Sequence, residues 1–536
     1  MKLTAAGLSD KQAWLNAPVL LPGYDPAEIA ANTRENPRWL HFGIGNIFRI
    51  FIGTIADTLI AAGDLDSGIT CAETFDFEVV DKVYAPHDNL ALCVTLYGDG
   101  TAKKQVIGSL GEAIAVKPQD EEAYARLARI FASPSLQMVS YTITEKGYAL
   151  KKADGTYFPE VAQALKKGPG YCSSAVVLTA SMLYHRWLAG AAPVAIVSMD
   201  NVSHNGEKLR SAVLEVIHTW YENGLAEEPF VRYVENESLV SFPWTMIDKI
   251  TPRPSVSVKE MLEKDGIEDM DIVITEKQTY IAPFVNAEGP QYLVIEDSFP
   301  NGRPPLQKAG VYMTDRETVN ACERMKVTVC LNPLHTALAP LGCVLGYQRF
   351  SDVMRDPQLK QLCEKVGEEG MAVVKDPKIL SPRAFIRECI DVRFPNEYIP
   401  DTPQRIAVDT SQMVGIRFGE TIKEYVLKDG SAAALKAIPL AIAGWLRYLK
   451  GVQDDLTPFE LSPDPMNEEL QGILADVNVG EPESLKEQLR PVLSNAHIFG
   501  SDLYEAGIGG QTEEILRSML EGKGAVRRTL IRCLDA

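Results

Sequence analysis

No long basic stretch occurs in this chain of 536 residues, whose formal charge is −19 and whose pI is about 5.0. Phosphate binding needs a basic face, so nucleic acid is excluded as a partner and a small molecule is expected. No CxxC pair occurs either. The nine cysteines (Cys71, Cys93, Cys172, Cys322, Cys330, Cys343, Cys363, Cys389 and Cys533) are scattered, mostly in apolar surroundings, which is the pattern of reduced thiols in the cytoplasm. There is no HExxH, and no cysteine lies at zinc-ligand spacing from a histidine. Redox chemistry in this chain is therefore expected to need no metal. The opening residues, MKLTAAGLSDKQAW, have no apolar core of signal-peptide length, so nothing in them directs export.

What the chain does have is one long apolar run at residues 323–347, ERMKVTVCLNPLHTALAPLGCVLGY. Charge stops at Lys326, yet Asn332 and His335 lie inside the run. The run is long enough to span a bilayer, but Pro333, Pro340, the amide and the imidazole make it a buried core helix and no membrane is expected. Asn332 and His335, three apart, share a helix face. A lysine held with them against an apolar wall would have its pKa lowered by burial and could meet a substrate hydroxyl. The blander alternative is a core histidine and a solvated lysine at a helix start.

A chain of this length needs two domains. From Arg38 it reads as a short strand, a turn containing Gly43 and Gly45, and an amphipathic helix through Ile60. The glycines would let the backbone approach a pyrophosphate, which the helix N-terminus attracts, although Phe48 replaces the third glycine of the dinucleotide fingerprint. A second strand, GITCAETFD, carries Glu73 and Asp76 near its end, where an acid meets the adenosine ribose and repels a 2′-phosphate. NAD is therefore expected over NADP. Strands and helices then alternate through residue 201, which predicts a parallel, doubly wound sheet of the α/β class. Ligands bind beyond the carboxyl ends of such strands, where Glu145 and the pair Asp200 and Asn201 fall. After about residue 312 helices dominate, among them SLKEQLRPVLSN at 484–495. The boundary is placed at 310/311, between a Rossmann-type domain and a mainly helical one.

Several segments, in order, resemble the polyol-specific long-chain dehydrogenases, the family that includes mannitol 2-dehydrogenase, fructuronate reductase and tagaturonate reductase. They are FGIGNIFR (42–49), TITEKGY (142–148), MDNVSHNG (199–206), FPWTMIDKITP (242–252), VIEDSFPNGRPPLQKAGV (294–311), LNPLH (331–335) and RFPNEYIPDT (393–402). The resemblance implies a Rossmann domain, a helical domain and metal-free, NAD(P)-dependent catalysis where the two meet. It matches the family's lysine base to Lys326, its two amides to Asn201 and Asn332, its histidine to His335 and its glutamate to Glu145. Gly43, Gly45, Asn46, Ile47, Glu73 and Asp200 are assigned to the cofactor, and Lys146, Asp248, Lys249 and Arg393 to the substrate. Ile47, Phe51, Trp244 and Glu397 depart from the usual family residues and alter the shape of the pocket.

The expected reaction is hydride transfer between nicotinamide and a secondary alcohol, with Lys326 taking the proton, Asn201 and Asn332 stabilising the alkoxide, and His335 orienting a neighbouring hydroxyl. A uronate substrate, fructuronate reduced to mannonate, is expected because Lys146, Lys249, Arg253 and Arg393 offer cations for a carboxylate. The alternatives are a mannitol-type polyol dehydrogenase and a nucleotide-binding sensor without turnover. A monomer or small homo-oligomer is expected. One departure touches the centre of the site: five residues separate Lys326 from Asn332 where the family has four. At about 100° per residue a regular helix would put Lys326 roughly 180° from His335. Pro333 lacks an N–H and crowds the Val329 carbonyl, so a π-bulge or kink between Lys326 and Pro333 is predicted.

Overall fold

The computed structural model describes residues 1–118, 120–170 and 174–535, so Cys172 lies outside the described residues. The chain divides into two compact units, Met1–Asn320 and Ala321–Ala536. The division comes ten residues beyond the 310/311 boundary expected from sequence and falls inside the helix Arg316–Met325. The start of that helix belongs to the first unit, where the Arg316 guanidinium donates to both Glu296 carboxylate oxygens.

The first unit is built on six parallel strands: β1 (Trp39–Phe42), β2 (Ile69–Glu73), β3 (Leu110–Ala115), β4 (Met138–Tyr141), β5 (Val194–Ser198) and β6 (Val240–Ser241). Their order is β3-β2-β1-β4-β5-β6, the doubly wound arrangement. In register, Leu40 of β1 faces Thr70 of β2 and Val139 of β4. Side chains alternate between faces with period two. Leu40, Phe42, Val139, Tyr141 and Ile196 enter one core with the helices Glu121–Ala132, Ala175–Leu188 and Asn205–Glu222. Trp39, Ile69, Cys71, Met138 and Val197 enter a second core with residues 48–60. Burial on both faces explains why these strands read as continuous apolar runs rather than as alternating ones. An antiparallel pair, Ala91–Leu96 and Ala102–Ile107, with Phe284–Glu288 parallel to the first, forms a small extra sheet that sequence patterning does not reveal.

The second unit is helical. Its centre is Asn332–Val344, with eleven buried residues, against which Pro357–Met371 and Ala437–Tyr448 pack. Contact with the latter is close: a Cβ added at Gly444 would lie 2.7 Å from Leu341 Cγ. Residues 316–344 are long and apolar enough to cross a membrane, but 78% of their most apolar window is buried within the fold, as a core helix requires. The helix expected over 484–495 shrinks to Arg490–Leu493. Leu485 and Leu489 are still buried, but Pro491 lacks the N–H that a longer helix needs and the chain reaches it through bends.

Candidate active site

The turn after β1 is shaped by glycine. Gly43 has φ +87°, and a Cβ there would come within 2.2 Å of the Thr142 carbonyl oxygen; Gly45 has open space where a Cβ would stand. Helix begins at Asn46, and the first N–H groups of a helix have no partner within it, the feature a pyrophosphate cradle uses. Beneath the turn sits His41, fully buried, with Nδ1 on Ser140 Oγ (2.6 Å) and Nε2 on Thr142 Oγ1 (2.9 Å). Thr142 Oγ1 in turn donates to the Gly43 carbonyl (2.7 Å), so the buried imidazole helps to set the turn. Burial pushes the His41 pKa down to about 3. The helix that follows is π-wound over Phe48–Gly53 rather than the regular amphipathic helix expected.

Several cofactor candidates are committed to the fold. Glu73 Oε1 accepts the N–H groups of Phe75 (2.8 Å) and Asp76 (3.2 Å), and Oε2 that of Ile44 (3.3 Å). Burial raises its pKa against those bonds. Asp76 accepts from Thr275 Oγ1 (2.5 Å), and Asn46 bridges Arg49 and the Tyr280 carbonyl. Ile47 is half-buried against the second core. Asp200 is a tie: its carboxylate accepts from the Ile143 and Thr144 N–H groups (both 2.9 Å) and from Tyr148 Oη (2.6 Å). It fixes the loop after β4 to the end of β5, and Thr144 holds φ +64° there.

Asn201 follows at the carboxyl end of β5 and is exposed. Glu145 is exposed too and pairs with Lys208 (2.5 Å), which argues against a desolvated proton relay at that carboxylate. Lys146 beside it is exposed. Lys249 donates to the Glu288 carbonyl and to Gln291 Oε1 (both 2.9 Å) and lines a polar cavity of about 230 Å³ with Thr54, Lys103 and Gln105. Asp248, also assigned to the substrate, precedes it, buried, in the strand Thr245–Asp248. Arg253 lies over the Tyr280 ring, 4.0 Å from its centroid. The departing Trp244 stacks on His204 (4.5 Å).

In the second unit the disturbance demanded by the extra residue is present. Lys326–Cys330 is π-wound, the Leu331 N–H donates to the Lys326 carbonyl (3.1 Å), and Leu331 leaves helical geometry at φ −129° before Asn332 restarts the helix. Lys326 is buried, so it is not the solvated start of a helix. His335 packs on Phe394 (4.4 Å) and edge-on to Phe350 (5.1 Å). Burial, then Arg417, Arg393 and Arg405, push its pKa well below the usual range, so the imidazole is neutral. Arg393 ends a second π segment, Cys389–Arg393, buried beside the Phe385 ring. Arg417, absent from the residues chosen on sequence, donates through Nη1 to Thr336 Oγ1 (2.7 Å). The only sequence signal for it is a lone cation in SQMVGIRFGE, which nothing local ties to Asn332 or His335.

A glycine turn at the first strand of a doubly wound sheet is a dinucleotide fold, and a buried lysine ahead of an amide and an imidazole is equipment for acid–base chemistry; a dehydrogenase is the class of protein that needs both. The chain belongs to the mannitol dehydrogenase family: residues 37–308 match the model of the mannitol dehydrogenase Rossmann domain and residues 318–519 that of the mannitol dehydrogenase C-terminal domain. It is 50% identical over 533 residues to D-mannonate oxidoreductase of Thermotoga maritima, spanning 99% of this chain and 98% of that one. It is 29% identical over 522 residues to mannitol 2-dehydrogenase of Aspergillus fumigatus, spanning 94% and 93%. Among solved structures it resembles the Pseudomonas fluorescens mannitol 2-dehydrogenase ternary complex with NAD and D-mannitol, with a TM-score of 0.72, 26% identity and all of both chains covered.

Proposed function

We propose that the protein interconverts a keto-uronate and its sugar acid, fructuronate and mannonate, with NAD as the redox partner. The observation that carries the substrate is the identity of 50%, over nearly the whole of both chains, to a protein named D-mannonate oxidoreductase. NAD, when bound, supplies the hydride acceptor. Gly43, Gly45 and the N–H groups at the start of the helix at Asn46 would hold its pyrophosphate. The Glu73 carboxylate, fixed by three backbone N–H groups at the end of β2, puts negative charge where a 2′-phosphate would come and so favours NAD. In the oxidative direction Lys326 Nζ takes the proton of the substrate hydroxyl. Asn332 donates a hydrogen bond to the oxygen as charge develops there, and Asn201 is the second amide in this role. The neutral imidazole of His335 can donate from one nitrogen and accept at the other, which suits it to orient an adjacent hydroxyl.

A mannitol-type activity is the second reading, supported by the full-length likeness to the mannitol 2-dehydrogenase complex. An NADH absorbance assay with fructuronate, tagaturonate and fructose separates the two. The uronate reading expects fructuronate to have the highest kcat/KM. A higher value for fructose would replace it with the polyol reading, and no turnover with any of the three would leave a nucleotide-binding protein.

A further inference from the structure

After burial, three guanidinium groups, those of Arg417, Arg393 and Arg405, push the His335 pKa down. Arg405 is paired with Asp401, Nε donating to Oδ1 at 2.6 Å and Nη2 to the other oxygen. Arg393 is buried beside the Phe385 ring, and the next residue, Phe394, packs on the His335 ring. Arg417 comes from the last turn of the helix Thr410–Arg417 and is anchored to Thr336, the residue after His335. Among the described residues no acidic side chain pairs with Arg417, and its Nε is buried without a hydrogen-bond partner.

A guanidinium at the end of a helix ordinarily turns to the last carbonyls or to solvent. Arg417 does neither with Nη1, which is given to a hydroxyl of another helix. Arg417 is half-buried, but its Nε N–H is buried without an acceptor, a cost that an incoming anion could relieve. Planar guanidinium donors match a carboxylate in a forked, charge-assisted pair. Burial pulls the Arg417 pKa to about 10, which leaves it cationic at neutral pH.

We propose that Arg417, together with Arg393, receives the carboxylate end of the substrate beside His335, so that Arg417 sets the preference for a sugar acid over a neutral polyol. The proposal rests on the uronate reading above. It assigns the anion to the helical unit and relieves Lys146 and Lys249 of that task.

The test is calorimetric titration of D-mannonate and D-mannitol into the NADH-loaded full chain, where the reduced cofactor cannot accept a hydride, and into its Arg417→Gln and Arg417→Lys variants, with melting temperatures measured in parallel. Loss of a charge-assisted fork should weaken mannonate about a hundredfold in Arg417→Gln while mannitol changes by less than about threefold. Arg417→Lys keeps the charge without the fork and should fall between, and it carries the test if the glutamine variant does not fold. Equal weakening of both ligands, or unchanged mannonate affinity, would overturn the assignment, as would a wild-type protein that does not bind mannonate. A wild-type protein that binds mannonate through Arg417 but fails to reduce fructuronate would sink the activity reading alone.

Discussion

The π segment at Phe48–Gly53 and the one at Lys326–Cys330 each carry a buried cation, and the two stand in different settings along the chain. In the first, all six residues are buried, and Arg49 donates to the Ala282 carbonyl (2.6 Å) and to Asn46 Oδ1 (2.8 Å). That cation ties residues 280–282 to the turn after β1. In the second, the π turn ends where Leu331 breaks the helix and Asn332 begins the next, so Lys326 directly precedes the amide and imidazole that acid–base chemistry requires. A π turn in itself therefore marks no function: one carries an arginine that ties the turn after β1, the other a lysine in the segment that leads into Asn332 and His335.

The largest expected difference between the two turns is catalytic. Lys326→Ala should lower kcat for fructuronate by about a thousandfold, within the range for loss of a positioned acid–base group, whereas Arg49→Met should change the melting temperature and leave kcat within about threefold. A comparable loss of kcat in both variants would erase the contrast. Next in size, Asn332→Ala should cost on the order of a hundredfold in kcat with little change in KM, because an oxyanion donor acts mainly in the transition state. A change confined to KM would make Asn332 a binding residue.

The buried His41 sharpens the comparison through pH. His41 has both ring nitrogens occupied inside the first unit and a folded pKa of about 3, below its unfolded value of about 6.5. A depressed pKa contributes stability above pH 6.5 that is lost as pH falls towards 3, here on the order of a few kcal/mol. Urea unfolding between pH 7 and pH 4 should therefore show a shallower loss in His41→Asn than in the wild type; parallel curves would contradict the linkage. The smallest effect is expected at Glu145, exposed and paired with Lys208, where Glu145→Gln should alter kcat by no more than about threefold. A loss above a hundredfold would restore the catalytic role that the family resemblance implies.

The parts that sequence could show were those written in local pattern. Apolar runs of strand length located five of the six strands of the parallel sheet, the two-residue strand Val240–Ser241 being too short to show, and the extra residue before Asn332, read with Pro333, located the π turn. Long-range partners were not legible. Nothing near Lys249 in sequence announces the Glu288 carbonyl, and nothing near Asp200 announces that three donors from residues 143–148 occupy its carboxylate. Arg417 is missed for the same reason, since its partner Thr336 lies 81 residues away. The π winding at Phe48–Gly53 also escaped, because the buried residues of that stretch fit an amphipathic helix equally well.

That Lys326 is the proton acceptor is tested most directly by amine rescue of Lys326→Ala. The variant, shown by circular dichroism and NADH titration to be folded and cofactor-competent, is assayed for mannonate oxidation with increasing methylamine. A missing lysine base should be partly replaced, with kcat rising in proportion to the free amine and more steeply at higher pH, where more of the amine is unprotonated. Undiminished turnover in the variant without added amine would contradict the assignment and show that the π turn presents no catalytic base.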